Sequence, residues 1–312
     1  MKKIIVTGAS GFVGKHLIKF LSSKDLDLYG TYLNTQDEEL AKLAKLIRVD
    51  LNNPKEVDDL ILKTGPDLIF HLAASTSPRE SFKDPKSTFE NNINSEINIL
   101  ESVKNRNLKT RIIIISSAEV YGIVGQKDLP IDENTPLNPS NPYAVSKIAQ
   151  DFLALQYFNS YKLNIVRLRP FNHIGPGQSD NFVVSAFAKK IAMVEKGKIN
   201  KITVGNLESK RDFTDVKDIV RAYYLASEKS ESGEVYNLGS GKSHPISEIL
   251  KMLTSYSKAH IEVEQDKSLF MPIDNPDFVC NFSKFEKITG WKPEIPLEQT
   301  LRETLDYWRE VI

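Results

Sequence analysis

Short apolar runs alternate with helix-length amphipathic stretches through the first half of the chain, and few architectures accept that order. The runs are "KIIVTG" (3–8), "DLYGTY" (27–32), "KLIRVD" (45–50), "DLIFHLA" (67–73), "RIIIISS" (111–117) and "NIVRLRP" (164–170). They are rich in Ile, Val and Leu, as strands buried on both faces of a parallel sheet must be. Between them, "GFVGKHLIKFLSS", "PKEVDDLILKT" and "STFENNINSEINILESVKNR" read as helices. Strand and helix in turn, joined by right-handed crossovers, predict an α/β, doubly wound, Rossmann-type parallel sheet. It should cover residues 1–170, with later returns near 212–238. Beyond Pro170 the regularity fades. "FNHIGPGQSDNF" reads as a functional loop, and "VKDIVRAYYLAS" and "LEQTLRETLDYWREV" are the only long helices expected in a smaller C-terminal region, 171–312.

With 312 residues, 40% of them hydrophobic, the chain can bury a substantial core. Lys+Arg and Asp+Glu both number 41, so no basic field is available to hold a nucleic acid non-specifically. The start, "MKKIIVTGASG", has too short an apolar run for a signal peptide, and nowhere are there about 18 continuous apolar residues. A cytoplasmic protein with no membrane span is expected. The single cysteine, Cys280 in "DFVCNF", reads as a small buried residue, and the five histidines show no metal-ligand spacing, so no metal is expected.

The first strand-to-helix loop, "TGASGFVG", carries Gly8, Gly11 and Gly14. In that context glycines let a pyrophosphate approach the backbone and meet the helix N-terminus, which makes dinucleotide binding a better reading than a bare Gly-rich turn. About twenty residues on, where an acidic residue would select NAD, stands Thr31-Tyr32-Leu33-Asn34. With no carboxylate to repel a 2′-phosphate, NADP(H) is favoured and NAD(H) permitted.

In "NPYAVSKIAQD" (141–151), Asn141 suits an N-cap and Pro142 the first helical position, while Ala144, Ile148, Phe152 and Leu155 suggest the apolar stripe. Tyr143 and Lys147 then share one face, where the ammonium should lower the phenol pKa toward working pH. Alone, the pair reads more readily as an exposed Tyr and a solvated Lys, because Y-x-x-x-K arises by chance in many chains.

Together "TGASGFVG", "HLAA" (71–74), "SSAEVYG" (116–122), "PYAVSK" (142–147) and "RDFTDVKDI" (211–219) make the chain resemble an extended short-chain dehydrogenase/reductase acting on nucleotide sugars. "RPFNHIGPGQ" (169–178), "VGNLESKRDFTDV" (204–216) and "GWKPEIPLEQTL" most resemble GDP-4-keto-6-deoxy-D-mannose reductases, close relatives of GDP-mannose 4,6-dehydratases. The resemblance implies that Tyr143 donates a proton to a sugar carbonyl, Lys147 holds the cofactor ribose, and Ser117 hydrogen-bonds the carbonyl. It implies cofactor contacts from Gly8, Ser10, Gly11, Phe12, Val13, Gly14, Thr31, Asp50, Leu51, Leu72, Ala73 and Ala74. Asn172 and Arg211 would bind the substrate diphosphate, and a homodimer would form on helices near 85–105 and 142–160. Leu269 and Met271 stand where such enzymes carry arginines. Glu119 aligns with the base of the dehydratases, but Ala118 replaces their adjacent acid. The implied reaction is reduction of a nucleotide-linked 4-keto-6-deoxyhexose, with GDP-4-keto-6-deoxy-D-mannose going to GDP-D-rhamnose. The alternatives are a 4,6-dehydratase or epimerase with tightly bound cofactor, and a non-catalytic cofactor sensor.

Overall fold

The computed structural model describes residues 1–270 and 275–312, so Met271 lies outside the described residues. The chain opens with β1 (Lys2–Thr7), α1 (Phe12–Leu21), β2 (Leu26–Tyr32), a short α2 (Glu38–Ala41), β3 (Lys45–Arg48), α3 (Pro54–Thr64) and β4 (Leu68–His71). It continues through α4 (Pro78–Lys83), α5 (Pro85–Asn105), β5 (Arg111–Ile115), α6 (Pro142–Tyr161) and β6 (Asn164–Pro170). The second half adds β7 (Asn172–Ile174), α7 (Val183–Glu195), β8 (Lys201–Val204), β9 (Lys210–Asp215), α8 (Val216–Lys229) and β10 (Val235–Leu238). It ends with β11 (Ser243–Pro245), α9 (Ile246–Ser255), β12 (Glu262–Gln265), α10 (Ser283–Thr289) and α11 (Leu297–Val311).

A seven-stranded sheet runs in the order β10-β6-β5-β4-β1-β2-β3, every pair parallel. The continuous apolar runs follow from burial on both faces. Ile4 and Val6 pack with Leu17, Ile18 and Ile219 from α1 and α8, whereas Ile5 packs with Val57, Ile99 and Ala154 from α3, α5 and α6. Ile4, Ile5 and Val6 are fully buried, each contributing about 1.5–3 kcal/mol. The order reverses at β1 and β4, and the carboxyl ends of the strands open a crevice there.

The smaller region contains the sheets β11-β9-β7 and β12-β8. Its core is formed by Phe187 and Ile191 of α7, Ile249 and Leu253 of α9, and Leu301, Leu305 and Trp308 of α11. Of the segment 212–238, α8 packs on the large sheet and β10 forms its edge strand, while β9 belongs to the smaller sheet.

Two expectations are corrected. The helix α7 was not anticipated among the long helices after Pro170. Its buried positions, Val184, Phe187, Ala188, Ile191 and Ala192, recur at i, i+3, i+4, i+7 and i+8, so the apolar stripe is written in the sequence and only the preceding loop residues mask it. On α6 the cap is as expected, with Asn141 Oδ1 accepting from Ala144 N at 2.8 Å, but the buried face is different. Tyr143, Ser146, Lys147, Gln150 and Asp151 are buried, while Phe152 is 52% exposed. Polar side chains can face inward here because each meets a partner supplied by another element.

Candidate active site

A cleft of about 560 Å³ lies over the carboxyl ends of the central strands. Its lining includes Gly8, Ser10, Gly11, Phe12, Val13, Gly14, Thr31, Asp50, Leu51, Leu72, Ala73, Ala74, Ser117, Glu119, Tyr143, Lys147 and Asn172.

Gly8 turns the chain out of β1 at φ +64°, and Gly11 N donates to Gly8 O at 3.0 Å, closing a tight loop. A Cβ on Gly14 would lie 2.3 Å from Gly8 O, so only glycine lets α1 begin this close to the strand. Gly11 caps α1 without a side chain, and the first turn holds no acidic residue. Its N–H groups and the positive end of the helix dipole are therefore suited to an anion. Thr31 Oγ1 accepts from Gly8 N at 3.2 Å, so its hydroxyl braces the loop. Thr7 Oγ1 accepts from Leu72 N and Ala73 N at 3.0 and 3.1 Å, leaving its proton for His71 Nδ1 at 3.0 Å. That bond set holds Leu72 and Ala73 against the cleft. A Gly-lined cradle at a helix N-terminus, small residues just past the carboxyl end of the central strand β4 and no carboxylate between Thr31 and Asn34 fit a nicotinamide dinucleotide with or without a 2′-phosphate.

Ser117 follows β5 and its Oγ accepts from Glu119 N at 3.2 Å. Tyr143 is 6% exposed, and burial pushes its phenol well above the ordinary tyrosine value, with Ser117 acting against the rise and Glu119 adding to it. The expected lowering by Lys147 is thus corrected, because desolvation dominates. Lys147 is buried and donates to Ile115 O at 2.8 Å. Burial lowers it to about 8, with Glu96 and Asp151 opposing the fall. Glu119 Oε2 accepts from Asn141 Nδ2 at 3.2 Å, tying it to the start of α6, while Ala118 is buried in the turn beside it.

Arg211 is not brought into the lining. It is half-buried, and its Nη1 donates to Lys210 O and Asn275 O at 2.7 and 2.8 Å. Leu269 closes a short turn (267–269), its carbonyl near Gly205. The cleft also takes in Phe171, His173, Phe213 and Tyr223. His173 stacks on Phe12, centroids 6.2 Å apart and planes 6° from parallel. Tyr223 reads as an ordinary core residue in an amphipathic helix. His173 lay inside "FNHIGPGQ", where the loop reading was the only signal. Cys280 is buried. Among the described residues no His/Cys/Asp/Glu group could hold a metal ion, and no helix is long and apolar enough to cross a membrane.

Residues 5–304 match the family model described as GDP-mannose 4,6 dehydratase. The chain is 37% identical to the GDP-6-deoxy-D-mannose reductase of Pseudomonas aeruginosa over 98% of its length and 97% of the relative. It is 32% identical to the GDP-6-deoxy-D-talose 4-dehydrogenase of Aggregatibacter actinomycetemcomitans over 92% of this chain and 91% of that one. Among solved structures it is similar to RMD from Pseudomonas aeruginosa complexed with NADPH, at TM-score 0.89 and 35% identity over 100% of both chains. It is also similar to Thermus thermophilus UDP-glucose 4-epimerase in complex with NAD, at TM-score 0.89 and 28% identity over 99% of this chain and 100% of that one.

Proposed function

The chain belongs to the GDP-mannose 4,6 dehydratase family, and from that premise we propose that it is an NAD(P)H-dependent reductase of a nucleotide-linked 4-keto-6-deoxyhexose. The substrate assigned is GDP-4-keto-6-deoxy-D-mannose and the product GDP-D-rhamnose. NADPH is the favoured cofactor and NADH a permitted one. The observation that carries the reading is the convergence of Ser117, Tyr143 and Lys147 beside a glycine cradle in one cleft, together with 37% identity to a GDP-6-deoxy-D-mannose reductase across nearly the whole chain.

Gly8, Gly11, Gly14 and the start of α1 hold the pyrophosphate, and Lys147 holds the ribose. The bound cofactor supplies a hydride to the sugar C4. Tyr143 delivers its proton to the C4 oxygen, and burial, by keeping the phenol protonated, suits it to act as an acid in that direction. Ser117 hydrogen-bonds the same oxygen as negative charge develops there. Asn172 and the region 171–312 receive the rest of the nucleotide sugar. One observation favours a dehydratase as the second reading: Glu119 lines the cleft beside Tyr143, placed to take a proton from the sugar.

The protein works as a cytoplasmic homodimer in this reading. Val145 and Phe152 of α6 and Phe82 of α4 are 40%, 52% and 48% exposed, an apolar surface that a second copy would cover. A monomer mass by light scattering at micromolar concentration would refute the dimer. For the reaction, GDP-4-keto-6-deoxy-D-mannose with NADPH should lose NADPH absorbance stoichiometrically, while GDP-mannose should not react. Conversion of GDP-mannose to a keto sugar without net cofactor use would establish the dehydratase. Activity confined to a dTDP- or UDP-linked keto sugar would refute the GDP assignment. A strong preference for NADH would refute the cofactor assignment.

A further inference from the structure

Two strands end side by side at the adenosine end of the cleft. In the parallel pairing of β2 with β3, Tyr32 stands opposite Arg48, each the last residue of its strand. Just beyond, Val49 N donates to Tyr32 O at 3.0 Å, and Tyr32, Leu33, Val49, Asp50 and Leu51 line the cleft. Side chains alternate along a strand, and paired residues of neighbouring strands share a face. A Cβ on Gly30 would lie 2.7 Å from Ala9 Cβ and 2.8 Å from Leu46 Cδ2, so Gly30 and Leu46 face the side of the sheet that α1 covers. Ile47 turns to the opposite core, with Ile5. Tyr32 and Arg48, two residues on from Gly30 and Leu46, therefore project to the α1 side, where the loop from Gly8 to Gly14 opens that helix.

Arg48 is exposed, and among the described residues its guanidinium has no hydrogen-bond or ion-pair partner. Other cations of α1, α2 and β3 are committed: Lys15 binds Asp37 at 2.7 Å, Lys42 binds Glu39 at 2.6 Å and Lys45 binds Asp27 at 2.7 Å. Asp37, the first carboxylate after β2, also accepts from Glu39 N and Leu40 N at 3.0 and 3.1 Å, so its charge is taken up at the start of α2. In a dinucleotide fold the end of the second strand meets the adenosine 2′ position, where an acid accepts a hydroxyl and an arginine takes a phosphate. Thr31 to Asn34 supply neither group. The cation comes from the adjoining strand.

We propose that Arg48 is the specificity residue for the adenosine 2′-phosphate of NADPH, so that discrimination between the two cofactors resides at the end of β3. The guanidinium fork can give two parallel N–H donors to phosphate oxygens, while the 2′-hydroxyl of NADH offers no charge to meet them. The inference rests on the NAD(P)H reading above and is independent of which sugar is reduced.

Fluorescence titration of the purified chain with NADPH and with NADH tests it without any turnover. Arg48→Ala should weaken NADPH binding by about 10- to 100-fold and leave NADH binding within about twofold. Retained NADH binding shows that the variant is folded and its cleft intact. Arg48→Lys, which keeps the charge and loses the fork, should fall between wild type and Arg48→Ala. In competition, adenosine 2′,5′-bisphosphate should displace NADH from the wild type more strongly than adenosine 5′-monophosphate does, and that advantage should vanish in Arg48→Ala. The wild-type advantage of NADPH over NADH should also shrink as salt is raised, since an exposed charge pair is screened. An unchanged NADPH affinity in Arg48→Ala, or an equal loss for both cofactors, overturns the assignment. Failure of the wild type to bind either dinucleotide overturns the NAD(P)H reading and this inference with it. Wild-type binding of both, with an unmoved ratio in Arg48→Ala, overturns the role of Arg48 alone.

Discussion

Asp151→Ala should loosen the helix that carries Tyr143 and Lys147 from the sheet beneath it. Asp151 is fully buried one turn past Lys147. Its Oδ1 accepts from Arg167 Nη1 at 2.8 Å and Arg169 Nη2 at 3.1 Å, and its Oδ2 from Arg169 Nε at 2.8 Å. Arg169 also donates to Tyr121 Oη at 3.0 Å, and Tyr121 in turn donates to Asn237 Oδ1 at 2.7 Å. Removing the carboxylate leaves two guanidinium groups in a dry site with only Tyr121 and the Gly233 carbonyl for partners. Breaking a buried pair from one side costs about 3–5 kcal/mol. With both arginines affected, a loss near the upper end, about 5 kcal/mol, is expected, a large share of a domain stability of about 5–15 kcal/mol. Asp151→Asn, which keeps one acceptor but turns an amide toward the guanidinium donors, should lose about 3 kcal/mol. The assay is urea unfolding followed by tryptophan fluorescence, with Lys42→Ala as control. Lys42 and Glu39 are 67% and 82% exposed in their ion pair, so its loss should stay below about 0.5 kcal/mol. The sign with pH is fixed. Burial raises the Asp151 carboxyl, but Arg169 and Arg167 outweigh it and hold it below its ordinary value. Its stabilisation is therefore complete above the unfolded value near ~4 and disappears as pH falls through the folded one. A loss under about 1 kcal/mol in Asp151→Ala at neutral pH, or a gap from wild type that widens on acidification, would refute the reasoning.

Ser117→Ala should lower kcat by about 10²-fold or more with little change in NADPH affinity, and Tyr143→Phe should lower it further; near-normal NADPH oxidation by Tyr143→Phe would remove it as the proton donor. Gly14→Ala places a Cβ within 2.3 Å of Gly8 O, so fluorescence titration should show NADPH binding weakened at least ~10-fold; wild-type affinity would show that the loop tolerates the atom. His71 has its pKa lowered to about 3 by burial and the Lys147 charge, so between that value and its ordinary 6.5 the unfolded chain binds the extra proton and stability rises with pH. In His71→Asn that part of the Tm–pH slope should vanish, and parallel slopes would count against a buried neutral imidazole.

What the sequence determined by itself is the local and periodic part. "NIVRLRP" is β6 to the residue and "PKEVDDLILKT" is α3, because a strand buried on both faces needs an unbroken apolar run and a helix needs its Asn cap and leading proline. "TGASGFVG" is legible for the same reason: Gly8 and Gly14 are required by backbone geometry within one short loop. Tertiary structure decided which polar groups could be buried. The stripe of Ile148, Phe152 and Leu155 suggested an inward apolar face for α6, but Asn92 from α5 and Arg167 and Arg169 from β6 draw Ser146 and Asp151 inward. Those partners are 54, 16 and 18 residues away along the chain, outside the reach of any helical period. The same holds for the phenol of Tyr143, which a neighbouring lysine alone would lower and the surrounding fold raises. It holds also for Arg211, whose guanidinium is taken up by the Asn275 carbonyl 64 residues on. Helical and strand periods are set by the backbone and repeat within a few residues, whereas desolvation and hydrogen-bond partnership depend on whatever the folded chain brings alongside.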